Sequence, residues 1–264
     1  NSVCIGGSGT GRLTMTGGAL TAQNAVMATE TGSDGSWYIS AGTVTLNSYI
    51  TLGGSGQAGL YISGGTFAAA RGRCGEEQGG NGILETNGLS AITFSDYLTV
   101  GLRGTGHLYV RGGTLTITNV LNVAVEATAL GQVHLSGGTL RAASLAVGAG
   151  QALVNVDGGS LVLNGHVTSL GSAAVAKNGH PDWYLHYAYD TASNLTTITA
   201  KRKPPVYFWT EQFDYSQGDE LGLVSIPCEQ ITIYRPGDED LIKFSNHPQI
   251  IAFKGYLYVI WNGH

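Results

Sequence analysis

Leu108-Tyr109-Val110-Arg111-Gly112-Gly113-Thr114-Leu115 is the stretch from which the architecture follows, because near copies of it recur from Leu13 to Leu161. The stretch alternates apolar and variable positions, turns at two glycines and resumes with Thr-Leu. Period-two alternation marks a strand with one face toward a core, and paired glycines supply backbone angles that other residues avoid. Upstream copies read Leu13-Thr14-Met15-Thr16-Gly17-Gly18-Ala19-Leu20, Trp37-Tyr38-Ile39-Ser40-Ala41-Gly42-Thr43-Val44 and Leu60-Tyr61-Ile62-Ser63-Gly64-Gly65-Thr66-Phe67. Downstream come Val133-His134-Leu135-Ser136-Gly137-Gly138-Thr139-Leu140 and Val154-Asn155-Val156-Asp157-Gly158-Gly159-Ser160-Leu161. A degenerate copy, Leu84-Glu85-Thr86-Asn87-Gly88-Leu89-Ser90-Ala91, fills the remaining gap. The first glycine position falls in turn on Gly17, Ala41, Gly64, Gly88, Gly112, Gly137 and Gly158. Such a nearly fixed period in the twenties is the signature of a solenoid.

No copy has a helical pattern, and a second strand signal lies about half a period away: Val3-Cys4-Ile5-Gly6, Ile50-Thr51-Leu52-Gly53, Leu98-Thr99-Val100-Gly101 and Leu145-Ala146-Val147-Gly148. Two or three short strands per turn predict an all-β fold, a right-handed parallel β-helix of about seven coils, each of roughly 21 to 25 residues, over positions 1–170. A leucine-rich solenoid needs a recurring asparagine and a helical segment in each repeat, and neither is present. Two inward columns follow from the register: Leu13, Trp37, Leu60, Leu84, Leu108, Val133, Val154, and Met15, Ile39, Ile62, Thr86, Val110, Leu135, Val156. The stretch from Ala70 to Gly79, rich in charge and glycine, is expected to be an exposed loop.

Composition divides the chain. Residues 1–200 hold 36 of the 41 glycines, while residues 201–264 hold five of the six prolines and 14 of the 31 charged side chains. The shift sets a boundary near Lys201-Arg202-Lys203-Pro204-Pro205. A net charge of −5 leaves no electrostatic footprint for nucleic acid, and no apolar run is long enough for a membrane span. Asn1 opens almost directly in a strand, as in a chain that begins inside a longer one. Cys4, Cys74 and Cys228 have no CxxC spacing, so neither zinc nor a disulfide framework is indicated.

After the last coil, Trp183-Tyr184-Leu185-His186-Tyr187 and Asn194-Leu195-Thr196-Thr197-Ile198-Thr199 break the period and read as a cap over residues 171–200. The Gly-Gly-Thr-Leu rungs together with this closing pair resemble the autotransporter-associated β-strand repeat proteins of secreted and surface-displayed bacterial chains. Residues 201–264 form a small β-rich segment ending in Gln249-Ile250-Ile251-Ala252-Phe253 and Tyr256-Leu257-Tyr258-Val259-Ile260, a hairpin around Lys254-Gly255. The string from Phe244 to Trp261 is similar to the first blade of sialidase-like (BNR-repeat) propellers, which singles out His247 and Trp261. The arginine that such enzymes use on a carboxylate is absent around His247.

Candidate functional residues lie on the repeat. The outward position between the two core columns reads Thr14, Tyr38, Tyr61, Glu85, Tyr109, His134, Asn155. Aromatic rings at coil spacing with hydrogen-bonding neighbours suit a polysaccharide, so Tyr38, Tyr61, Glu85, Tyr109 and His134 form the candidate glycan site. A hydroxyl-bearing row after the glycines reads Ala19, Thr43, Thr66, Ser90, Thr114, Thr139, Ser160 and is expected to be turn chemistry. Gly54-Ser55-Gly56-Gln57-Ala58-Gly59 fits GxGxxG, but no helix follows it, so no dinucleotide and no other cofactor is expected. Glu85, Asp96, Glu126 and Asp157 fall singly on different coils, without the facing carboxylates that glycoside hydrolysis uses, and no metal is expected.

Three functions are consistent with this pattern. The first is a non-catalytic β-helical module of a secreted or surface protein that binds or positions polysaccharide. The second is part of a glycan-degrading hydrolase or lyase whose active site lies in a sialidase-like propeller. The third is a structural stalk, adhesin or filament subunit that self-associates through its coil ends.

Overall fold

A computed structural model describes residues 1–203 and, of the remainder, the backbone of Gln249–Phe253 and Tyr256–Ile260. The chain divides into two compact units, Asn1–Pro205 and Val206–His264. The first is a parallel β-solenoid of about seven turns. Each turn contributes strands to three ladders. The first face stacks residues 10–15, 34–39, Gln57–Ile62, Asn81–Thr86, Thr105–Val110, Leu130–Leu135 and Gln151–Val156, all parallel and in register. The second face begins after the Gly-Gly turn and stacks residues 19–22, 43–46, 66–69, Ala91–Phe94, 114–117, 139–142 and Ser160–Asn164.

The third face was only half legible in the sequence. Besides the coils that carry the recurring Ile/Leu-x-Leu/Val-Gly signal, the intervening coils contribute Asn24–Met27, residues 71–74 and residues 120–123. Corners from the third face to the first alternate in length: residues 28–33, 75–80 and 124–129 are long, and 53–56 and 101–104 are short. The Ala70–Gly79 stretch is therefore not one exposed loop. Its first half is strand, with Gly72 and Cys74 facing inward and Arg71 and Arg73 outward. Only residues 75–80 form a corner. Glycine stands at 72 because a side chain there would meet the Phe94 ring at 2.6 Å and Leu98 at 2.7 Å.

Both expected core columns are buried from the second coil onward, with Trp37, Leu60, Leu84 and Leu108 at 0% exposure. Stacking like on like removes each coil's apolar face from water at about 25 cal/mol per Å². A second set of columns lines the other faces, including Val44, Phe67, Ile92, Leu115 and Leu140, and Trp37, Phe67 and Phe94 meet edge-on or tilted at 6.1 to 6.2 Å. Thr86, the one polar residue in its column, donates its hydroxyl to the Gly112 carbonyl at 3.0 Å, which removes the cost of burying it bare.

Residues 183–202 form the expected terminal hairpin, and it meets the second face antiparallel, pairing Leu161 with Ile198 and Asn164 with Leu195. On the first face Ala174–Ala176 continues the parallel stack above residues 154–156. Ile198 and Thr196 are fully buried in the closure. Thr196 donates to the Gly165 carbonyl at 2.6 Å and accepts from the Val167 amide at 2.9 Å, fixing the reversal. In the second unit, Gln249–Phe253 and Tyr256–Ile260 pair antiparallel, from Gln249 with Ile260 to Phe253 with Tyr256.

Cys74 continues the inward column of Met27, Leu52, Val100 and Val123, and burial pushes its thiol up to about 12. Cys4 is exposed, and Cys228 lies outside the described residues. A thiol reagent at pH 8 is expected to modify Cys4 and to spare Cys74 until denaturant is added, because the thiolate is the nucleophile. Peptide mapping by mass spectrometry reads this directly; equal labelling of both in the folded protein would remove Cys74 from the core.

Candidate functional site

On the first face, alternate positions of each strand point into the core, so the intervening positions form lanes on the surface. Register aligns Thr14, Tyr38, Tyr61, Glu85, Tyr109, His134 and Asn155 on successive coils, as the spacing predicted. Tyr38 and Tyr61 stack with ring centroids 5.0 Å apart and planes 15° from parallel. Two coils on, Tyr109 stacks on His134 at 5.2 Å and 13°. Asn155 leaves the lane: it is buried, and its Oδ1 accepts from the Asn178 amide at 2.7 Å.

The rings are not free platforms. Arg12 lies over Tyr38 at 4.5 Å and Arg111 over Tyr109 at 5.1 Å, so a cation covers part of one face in each cluster. Glu85, between the clusters, holds Arg111 at 3.2 Å. Parallel rings touch at a perpendicular separation of about 3.5–4 Å. Centroids 5.0 Å apart are therefore slipped sideways by about 3 Å, and both tyrosines stay half-buried at the surface.

Sequence reasoning missed a neighbouring lane two positions upstream: Arg12, Ser36, Gly59, Ile83, His107, Gln132. Its signal was available in the same register, since it supplies both the guanidinium on Tyr38 and the His107 ring stacked on Tyr109 at 5.9 Å and 9°. Burial lowers the His107 pKa, with the neighbouring Gln132 side chain opposing the shift. Burial also lowers that of His134, helped by the Arg111 guanidinium and by competition with His107 for a proton. Burial raises the Tyr61 phenol, with Tyr38 and Glu85 adding to the effect. Near neutral pH His107 and His134 thus offer uncharged imidazoles and Tyr61 its phenol hydroxyl, groups that both donate and accept hydrogen bonds.

Each acid singled out in the repeat has a basic partner. Glu85 meets Arg111, Asp96 meets Arg71 at 2.9 Å, Glu126 meets Arg103 at 3.1 Å and Asp157 meets Lys177 at 2.9 Å. Arg103, on a short corner, also reaches Glu77 at 2.8 Å, bridging the long corners on either side. These side chains are about a quarter to a half exposed, so solvent screens the pairs and they add little to stability. Among the described residues no three His, Cys, Asp or Glu side chains gather to hold a metal ion. Gly54–Gly56 forms a corner and Gln57–Gly59 a strand, so the GxGxxG stretch opens no helix.

The hydroxyl row shifts by one position at the degenerate copy. Ala91, not Ser90, aligns with Thr66 and Thr114, because the turn between Thr86 and Ala91 is one residue longer than that between Val110 and Thr114, and Ser90 is buried in it. Thr66 donates to the Thr43 hydroxyl at 3.1 Å, so part of this row bonds to itself. His247 and Trp261 lie outside the described residues. No helix among the described residues is long and apolar enough to cross a membrane. No family model matches the chain, and neither a curated protein nor a solved structure matches it.

Proposed function

We propose that this chain is a non-catalytic β-solenoid module of a secreted or surface-displayed protein, and that its first face docks an extended polysaccharide along the solenoid axis. The observation that carries this reading is the unbroken register of Tyr38, Tyr61, Glu85, Tyr109 and His134, which repeats hydrogen-bonding edges and partly open rings at a spacing of about 5 Å, one coil. A pyranose chain advances by a comparable length, so successive sugars meet successive rungs. The secreted setting rests on the resemblance to autotransporter repeats. Three partly exposed contacts at about 1 kcal/mol each, less the ordering cost, leave millimolar affinity at best.

Replacing Tyr38, Tyr61 and Tyr109 together by Ser is expected to abolish retardation in affinity gels containing xylan, mannan, dextran or alginate. The same variant loses three ring stacks, Tyr38 on Tyr61 and Tyr109 on both His134 and His107, so its stability is expected to fall by about 2–4 kcal/mol. A second reading, a structural stalk, is favoured by the use of the ring faces on one another and on Arg12 and Arg111. The two separate cleanly. A parent that no polysaccharide retards, with a variant that melts lower, makes the tyrosines a stabilising ladder and sinks the docking reading.

A further inference from the structure

The lane beside the tyrosines holds a residue whose missing side chain is replaced by a ring. A Cβ built on Gly59 would lie 2.4 Å from both Cε2 and the hydroxyl oxygen of Tyr61 and 2.6 Å from Cζ. All three nearest atoms belong to that one phenol, two positions along the same strand. The Tyr61 ring therefore leans back along the strand and lies over the Gly59 backbone. In the equivalent positions the neighbouring coils carry Ser36 and Ile83, so of these three rungs only the middle one is bare.

We infer that Gly59 is the positioning residue of the tyrosine cluster: the empty place at 59 seats the Tyr61 ring, and the seated ring sets Tyr38 beneath it. A glycine inside a strand leaves backbone uncovered and packs nothing, and an aromatic ring laid across it restores that cover. The slipped stack then follows, because a ring held down over 59 presents its face to Tyr38 on the preceding coil at 5.0 Å. Arg12 lies on Tyr38 in turn, so one absent side chain orders a series of three groups. Burial in this seat accounts for the raised Tyr61 phenol. The inference deepens the docking reading and rests on it for the consequence in binding, but the seat itself is a statement about ring position.

Gly59→Ala tests it, since the atoms a methyl group meets are the far end of a mobile side chain and no backbone atom is among the nearest three. The variant is expected to fold, with the Tyr61 ring swung out. In the full chain carrying tyrosine labelled with 13C at Cζ, the Tyr61 signal, assigned by its loss in Tyr61→Ser, is expected to titrate closer to the ordinary tyrosine value in Gly59→Ala than in the parent. An unchanged Tyr61 shift and titration would overturn the seat. Binding supplies the second readout, with the polysaccharide that retards the parent most. Gly59→Ala is expected to lose as much retardation as Tyr61→Ser, and Gly59→Ala added to Tyr61→Ser to lose nothing more, the non-additivity of a residue acting through its neighbour. Additive losses in the double variant would mean that Gly59 acts some other way and would overturn the proposal. A parent retarded by none of the polysaccharides refutes docking, while the phenol titration still decides the seat.

Discussion

Ile62→Asp is expected to unfold the solenoid. Ile62 is 1% exposed in the column that runs from Ile39 to Thr86, with a coil above and a coil below. Removing a buried isoleucine costs about 2–5 kcal/mol, and a carboxylate left without a partner adds several more. The sum reaches the whole stability of an ordinary domain, about 5–15 kcal/mol. A solenoid passes the damage on, because each coil is stabilised chiefly by its two neighbours. Urea titration followed by far-UV circular dichroism is the measurement, with Ile62→Val as the companion that stays folded at a cost of about 0.5–1.5 kcal/mol. Ser63, the next residue, is exposed, so Ser63→Asp is expected to stay within about 0.5 kcal/mol of the parent. That contrast tests register as well as burial, since a slip of one position exchanges the two faces of a strand. An Ile62→Asp protein that melts like the parent would overturn the column.

Gly106→Ala is expected to cost about 3 kcal/mol for a single methyl group, at the upper end of what overpacking exacts. The new Cβ would stand 2.2 Å from the Gly101 nitrogen, 2.6 Å from the Cys74 carbonyl oxygen and 2.7 Å from the Val100 carbonyl carbon. All three are backbone atoms of corners and third-face strands, so no rotamer change relieves the contact. Gly82 and Ala58 occupy the same register position on the two preceding coils of this face, and Ala58 already carries a methyl group. Ala58→Gly is accordingly expected to cost only about 0.5–1 kcal/mol, from the greater freedom of glycine in the unfolded chain and a little lost burial. Thermal melts of the two variants side by side decide the point: equal, small losses would mean that the strand-to-corner approach is looser than these distances. Gly59→Ala makes the third member of the set, where the methyl group meets a movable ring and the fold is expected to hold.

The alternation around Gly-Gly, repeated rung after rung from Leu13 to Leu161, was sufficient to predict the coil, the register of the first face and both of its inward columns. Each of those properties is local to one rung and is then copied, so reading one rung well reads them all. The lane of Tyr38, Tyr61, Glu85, Tyr109 and His134 was legible for the same reason, being a position in the repeat. Ring orientation was not legible, because it depends on which side chain stands one lane over and, for Tyr38, one coil back: Arg12 for Tyr38, Gly59 for Tyr61, His107 for Tyr109.

The chain's own pattern thus set the solenoid, its period and the membership of its main core columns and candidate lane. The third-face strands of alternate coils emerged only on folding, because Gly72 and Cys74 fill the inward places of one, and the other two are followed by Ala28 and Ala124, which take the left-handed turn where the recurring signal has glycine. The partners of the charged residues, such as Arg103 between Glu77 and Glu126, emerged in the same way. Those glutamates stand 26 and 23 positions from Arg103 and become its neighbours only when the coils stack. One cause underlies each case. Backbone alternation and glycine turns are set by a residue and its chain neighbours, whereas contact between coils is set by side chains that meet across a step of about 4.8 Å, in a direction the chain itself never runs.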